Sequence, residues 1–251
     1  MALDPWTHPL LVATGLVAGT LNVVAGGGSF LTLPILIFMG LPPVTANGTN
    51  RIGILLQNGA AVWSFRRDGV MERQWVWAAV VPSVLGGAAG TLIATWIADD
   101  TFRRILSILM IVMSLWILWN PIRPKEGAAR ERGAPLRPAI LIGLFLAGVY
   151  GGFVQAGVGF LVLVVTTLAG LDLVRGNSLK VLTILIATPL SLAIFAWQGH
   201  VWWVPGLSLG AGYLLGGYLG ARLTVLKGHA WVRQVVTVAV IALAVKLWLW
   251  D

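Results

Sequence analysis

"NVVAGGGSFLTLPIL", residues 22–36, decides how the chain is read. Three glycines and a serine interrupt an apolar run dense enough for a membrane, and glycine is poorly suited to holding a helix there. At bilayer depth no water is available to bond a backbone that leaves the helix, so protein or a wet cavity must supply partners. A second interruption of the same kind, "QAGVGFLVL" at residues 155–163, lies in the other half of the chain. Two such breaks predict two helical hairpins whose tips face each other, with the amides of Gly27, Gly28 and Ser29 on one side and Gly157 and Gly159 on the other. Amides that open a helix carry partial positive charge, so the tips are suited to an anion. The bland alternative is a tight helix contact of the small-residue kind.

Composition agrees with a membrane setting. The chain has 251 residues, is 58% hydrophobic and 10% charged, and carries 13 tryptophans, more apolar surface than a water-soluble core of this size needs. Its opening has no Lys or Arg start and no small-residue cleavage site, so the first apolar segment is expected to stay in the mature protein. Cysteine is absent, which excludes disulfides and thiolate chemistry. The formal charge of +8 falls in short loops between apolar segments, a positive-inside pattern and not a nucleic-acid face.

Apolar segments run over 10–25, 30–39, 52–65, 75–98 and 105–119, then 139–156, 160–169, 181–197, 201–224 and 232–250. The second, Phe30 to Met39, has 10 residues, about 15 Å of helix against about 30 Å of hydrocarbon. Between the two sets lies "NPIRPKEGAARERGAPLRP", residues 120–138, rich in proline, glycine and charge. The chain thus divides into a first membrane repeat (1–120), a linker (121–137) and a second membrane repeat (138–251). A shift of 130 lays Phe30 on Phe160, Gly40 on Gly170, Asn47 on Asn177, Phe65 on Phe195, Gly69 on Gly199, Gly86 and Gly90 on Gly216 and Gly220, and Arg103 on Arg233. This is an internal duplication.

Loop charge predicts that the repeats are inverted. "RRDGVMER" (66–73) carries three arginines, and its counterpart "AWQGHVWW" (196–203) has no Lys or Arg. At the next loop the bias reverses: "DDTFRR" (99–104) is balanced, whereas "RLTVLKGHAWVR" (222–233) has three positives and no acid. The linker, with five Lys/Arg and two Glu, then lies in the cytoplasm and both termini outside. The expected fold is all-α: two inverted repeats, each a short-armed glycine-broken hairpin followed by three transmembrane helices. Gly86, Gly90, Gly216 and Gly220 lie inside uninterrupted segments and are read as packing residues.

A second constellation is "TANGTNRIG" (45–53), matched by "VRGNSLKVL" (174–182). Each brings an Asn (Asn47, Asn177), a hydroxyl (Thr49, Ser178) and a cation (Arg51, Lys180) to the start of the helix after the hairpin. The hydroxyls and amides are ordinary helix caps by default. A cation one turn into an apolar helix either snorkels or has an anionic partner. The candidate substrate-binding set is Gly27, Gly28, Asn47, Asn50, Arg51, Gln155, Gly157, Gly159, Asn177 and Lys180. Asn22, Gln57 and Asn58 are further intramembrane polar groups, with interhelical bonding as their competing role. Eight of the nine Asp and Glu fall in loops or at termini and Asp172 at a helix boundary, leaving no buried carboxylate to carry a proton or sodium. The three histidines sit at segment ends without a His-Glu-x-x-His pair, and Ser29 has no base in relation to it, so neither a metal site nor an intramembrane hydrolase is expected.

The stretches at 15–53 and 144–181 resemble the two duplicated motif regions of the sulfite exporter TauE/SafE family of bacterial inner-membrane permeases. The resemblance covers nearly the whole chain, with departures at "GTNR" and "GNSLK". It implies a multi-pass inner-membrane transporter, without cofactor, that exports small sulfur-containing anions such as sulfite. Import of sulfonates or other sulfur anions and a non-transporting membrane scaffold are the alternatives. The partners implied are the anion and membrane lipid, with homodimerisation left open. Without a buried acid, export is expected to follow the membrane potential. The topology is testable in this cysteine-free chain: Asp68→Cys should react with an impermeant thiol reagent from the cytoplasm alone, and Gly199→Cys from outside alone. Labelling of both from one side would end the inverted arrangement.

Overall fold

The computed structural model describes residues 6–73, 75–119 and 137–248, and among these every regular element is an α-helix. The linker expected at 121–137 lies outside them except for Arg137, as do Asp4 and Asp251. In the first half α1 (Thr7–Ala25) and α2 (Ser29–Phe38) flank the glycine break, followed by α3 (Pro43–Arg67), α4 (Val76–Trp96) and α5 (Asp99–Trp119). In the second, α6 (Pro138–Phe153) and α7 (Val158–Leu168) flank the other break, followed by α8 (Leu173–Trp197) and α9 (Trp203–Trp248).

Two elements differ from the sequence-based expectation. The first arm is longer than residues 10–25: α1 has 19 residues, about 28 Å at 1.5 Å per residue, and its Thr7–Val24 window is long and apolar enough to cross a membrane. His8 joins this extension and shares a hydrogen bond of 2.8 Å with Ser208 on α9. The other arms, α2, α6 and α7, have 10, 16 and 11 residues. Second, α9 is one 46-residue helix where two segments, 201–224 and 232–250, were expected. The matched site in the first half explains the contrast. There Ile97 is extended (φ −89°, ψ 139°), and Asp99 and Asp100 stand in the first turn of a new helix, where carboxylates favour its positive end. The positions 130 further on are Lys227, His229 and Ala230, which supply no such start.

Close backbone approach organises the packing. α1 lies on α9 and α6 lies on α4, so each half's first helix packs on a helix of the other half. At the first contact Gly15 and Gly19 face the backbone of Leu209 and Tyr213, while Gly212 and Gly216 face Val12 and Leu16. At the second, Gly86 and Gly90 face Phe145 and Val149, and Gly148 and Gly152 face Ser83 and Gly87. In lipid there is no hydrophobic drive between helices, so dispersion across such contacts has to carry the association. The glycines read as packing residues occupy these seams.

The inter-helix loops tie α3 and α8 at their starts. Trp202 N–H donates to Thr49 Oγ1 (2.9 Å), Thr45 bonds His200 (3.2 Å), and Val44 N–H donates to Asp99 Oδ1 (2.9 Å). At the start of α8, Glu72 N–H donates to Ser178 Oγ (3.0 Å). The donors 72 and 202 are 130 apart and the acceptors Thr49 and Ser178 are 129 apart, so the two bonds correspond to within one residue. Loop 198–202 therefore sits at the N-terminus of α3 and loop 68–73 follows its C-terminus, about 37 Å away for 25 residues. Large apolar side chains line the outside, and exposed tryptophans stand at helix ends: Trp6, Trp77, Trp96, Trp197 and Trp203. That distribution suits a lipid-facing wall with aromatic rings at its rims.

The packing generates a contrast between glycines. Gly90→Val would drive a side chain into the Val149 carbonyl and should lower stability by about 1–3 kcal/mol or more. Gly59→Ala, in α3 with open space around it, should be neutral or gain up to about 1 kcal/mol from helix propensity. Thermal unfolding in detergent measures both.

Candidate functional site

At the first break the helix stops in a left-handed turn. Gly26 has φ +90°, a value side-chain-bearing residues rarely adopt, and its N–H returns to the Leu21 carbonyl at 3.2 Å. Asn22 then ties the break together. Its Oδ1 accepts from Gly28 N–H (3.2 Å), and its amide nitrogen donates to Ser29 Oγ (3.4 Å) and Gln57 Oε1 (3.3 Å). Asn50 donates to the same Ser29 Oγ (3.2 Å), and its Oδ1 accepts from Thr32 (2.8 Å) and Tyr213 (3.1 Å). At the second break α6 ends at Phe153 and Gly157, with φ +79°, precedes α7. Asn47 on α3 reaches across: its Nδ2 donates to the Phe153 carbonyl (2.9 Å) and its Oδ1 accepts from Gln155 N–H (3.4 Å). The two breaks touch, Gly26 backbone against Gly159 backbone, with the Phe160 ring beside Gly27.

Both cations are buried, each 1% exposed, and both are held by backbone carbonyls of the opposite half. Arg51 on α3 donates through Nη2 to the carbonyls of Gly151 (3.1 Å) and Gly152 (2.5 Å), and through Nη1 to Gln155 Oε1 (2.9 Å). Its guanidinium lies 4.7 Å from the Phe195 ring centre. Lys180 on α8 donates to the carbonyls of Asn22 (3.3 Å) and Val23 (2.7 Å). These carbonyls belong to the last turns of α6 and α1, the negative ends of helices that stop inside the protein. Neither cation snorkels, and neither faces a carboxylate: among the described residues no Asp or Glu is buried. The partners are neutral, so the positive charge is solvated by dipoles but not cancelled.

The helix-cap reading of the matched motifs gives way to this geometry. α3 starts at Pro43 with Pro42 ahead of it and no side-chain cap, because proline at the first position suits a helix start. α8 is capped by Asp172, whose carboxylate accepts from Val174 and Arg175 N–H, both at 3.0 Å. Asn47, Thr49, Asn177 and Ser178 thus sit a turn or more inside their helices and bond across the structure. Gly28 N–H is already engaged by Asn22, and the Gly26–Gly159 contact leaves no gap between the tips for an anion in this conformation. Asn177 stands apart from the other candidates: Nδ2 donates to Thr224 (3.3 Å) while Oδ1 has no partner.

Beside Arg51 lies a cavity of about 30 Å³, room for one or two waters, lined also by Gln155, Ser83, Thr183, Thr188 and Ser191. Four of these polar residues were not singled out from sequence: Ser83, Thr183, Thr188 and Ser191. The 130-residue shift held the signal, since it pairs Ser83 with Tyr213 and Thr183 with Gly53, a small-for-large exchange in both directions. No group of three or more metal-binding side chains occurs among the described residues.

Packed apolar helices, several long enough to cross a membrane, around a buried polar centre are the architecture of a membrane transporter. The chain belongs to the sulfite exporter TauE/SafE family, whose model matches residues 11–247. It is 29% identical over 239 residues to a probable membrane transporter protein of Haemophilus influenzae, covering 95% of this chain and 93% of that one. It is 28% identical over 246 residues to the probable membrane transporter protein YfcA of Escherichia coli K12, covering 98% and 91%. A probable membrane transporter protein, ORF9, of a Sinorhizobium species is 28% identical over 239 residues, covering 94% and 90%. No solved structure matches the chain.

The first break generates its own test. Asn22→Leu leaves the Gly28 amide and the Gln57 side chain without their partner and should cost about 1–3 kcal/mol for each buried group so exposed. A lowered melting temperature with retained helical circular dichroism is the expected result.

Proposed function

We propose that the protein is a multi-pass inner-membrane exporter of small sulfur-containing anions, sulfite foremost, and that its two repeats are inverted about the touching breaks. The observation that carries the reading is Arg51, buried with neutral partners only, at the seam where α3 of one half meets the broken end of α6 in the other. A buried charge without a counter-charge is costly, and an anion arriving there cancels the cost at the moment of binding. Gln155 is the neutral contact beside it, and Asn47 holds the backbone of that break in place. Lys180 adds a second positive charge from the other side while satisfying the carbonyls of α1. Gly28 and Asn50 are bound into the first break, Gly26 and Gly159 form the contact that has to part, Gly27 and Gly157 lie beside it, and Asn177 stands apart, bonded to Thr224.

Inversion is supported by the repeated loop bonds at opposite ends of α3 and by the crossing of cations between halves. The division into repeats at 1–120 and 138–251 follows the same pairing. The wide cleft of about 590 Å³ bounded by Arg73, Asp172 and Arg175 lies at the arginine-rich loop end, the cytoplasmic end under the positive-inside rule, and serves as the entry. Export by this route needs no co-transported ion. With the cell interior negative, each negative charge leaving is favoured by about 2.3 kcal/mol per 100 mV, so a dianion gains about 4.6 kcal/mol, equivalent to roughly a 2000-fold gradient.

In proteoliposomes an imposed potential should drive sulfite flux that carries current, with no pH or sodium gradient. Arg51→Ala should reduce that flux at least about tenfold, since it removes a charge-assisted contact in a low-dielectric site. Electroneutral flux that depends on a proton gradient would contradict the potential-driven mechanism, and wild-type flux from Arg51→Ala would remove Arg51 from the site.

A further inference from the structure

The duplication is structurally lopsided at its centre. The cavity beside Arg51 is bounded by α3, α4, α6, α7 and α8. Its counterpart, found by subtracting or adding 130, has Val181 where the cavity has Arg51, and an aromatic ring occupies it. Tyr213 stands where the cavity has Ser83; its ring, fully buried, lies on Gly53, which stands where the cavity has Thr183. The phenol hydroxyl is engaged with Thr32 (3.0 Å) and Asn50 (3.1 Å). One side is therefore plugged by an aromatic ring, and the other is left open and lined by hydroxyls.

The open side offers donors. Arg51 Nε and Thr183 Oγ1 are buried, line the cavity and have no partner. Thr91 gives its one hydrogen to the carbonyls of Gly87 (2.7 Å) and Gly152 (3.1 Å), so Ser191 Oγ spends its own on Thr91 Oγ1 (2.9 Å). Ser83 and Thr188 already spend theirs on the carbonyls of Leu144 (3.3 Å) and Ile184 (2.6 Å). A guanidinium N–H and one free hydroxyl share the cavity without a carboxylate in the lining, a pattern that suits a species made only of acceptors. Val158, Val162 and Ile184 add apolar surface to the lining.

We infer that each chain takes one compact oxyanion, in this off-centre cavity, held by Arg51 and Thr183, and that Tyr213, with Val181 in place of Arg51, leaves the duplicated position without a second site. The inference deepens the anion-transport reading and rests on it. The space of about 30 Å³ holds on the order of two waters, less than sulfite occupies, so the cavity has to widen on binding, and a bare inorganic oxyanion asks for less widening than a sulfonate bearing a carbon chain.

Isothermal titration of the purified full chain with sodium sulfite, paired with flux in proteoliposomes, tests the site. The expected result is one sulfite per chain, with ethanesulfonate at least about tenfold weaker. Thr183→Val, which keeps the shape and removes the hydroxyl, should weaken sulfite binding about tenfold, the worth of one hydrogen bond to a charged group. Ser83→Tyr, which places at 83 the residue found at 213, should abolish it; size-exclusion chromatography checks that this bulkier variant folds, and Thr183→Val decides if it does not. A wild type that neither binds nor carries sulfite sinks the transport reading itself. A wild type that carries sulfite but binds two per chain, or whose affinity is unchanged in Thr183→Val, overturns the single-site inference and leaves the transport reading standing.

Discussion

Everything at the centre of this protein depends on one requirement: the carbonyls at the ends of two helices that stop inside the protein must find donors without water. An unbonded carbonyl there costs several kcal/mol, and each helix end exposes more than one. The chain meets the requirement with a long cationic side chain from the other half. Arg51 serves Gly151 and Gly152, Lys180 serves Asn22 and Val23, and Asn47 serves Phe153. Because each donor comes from the opposite half, neither break can be completed by its own repeat. The interlocked packing of α1 on α9 and α6 on α4 follows the same logic, with glycines allowing the backbones to close.

This solution leaves a charge imbalance. Two cations satisfy hydrogen-bonding needs but receive only dipoles in return, so the centre stays positive in surroundings that penalise charge. A structural bond and an anion-attracting field are thus the same atoms. Arg51 has a further N–H that no carbonyl takes, next to a cavity that also holds the unpartnered Thr183 hydroxyl. In the proposed mechanism an anion competes with helix-end carbonyls for the guanidinium, which links occupancy to the contact between Gly26 and Gly159. The differential interaction that a ligand needs in order to shift a conformational equilibrium is present at that point.

Much of the arrangement was legible in the sequence because membrane constraints are severe. The glycine breaks, the duplication at 130 residues, the seam glycines and the buried Arg51 and Lys180 all show as departures from what lipid tolerates. Boundaries were less legible. Nothing in the composition of residues 222–233 announces that α9 continues through them; the difference lies in lacking the extended residue and the two aspartates that restart the chain at Ile97 to Asp100 in the first half. The motifs at 45–53 and 174–182 carry cap-forming residues, yet prolines and Asp172 begin those helices earlier, and the polar groups are carried inward.

By itself the sequence determined that the chain is helical and suited to a membrane, with one glycine-broken segment in each half and a cation, Arg51 or Lys180, inside the helix that follows. Those properties are set by local composition and spacing against a solvent that cannot bond a backbone. Tertiary structure alone decided whom the cations serve, because a carbonyl has no sequence signature: any residue offers one, and only packing selects Gly151, Gly152, Asn22 and Val23. It also decided that two halves of one pattern are unequal at the centre. A tyrosine and a glycine on one side, a serine and a threonine on the other, read as four unrelated residues until the helices bring each pair together, and then one space is full and the other is open.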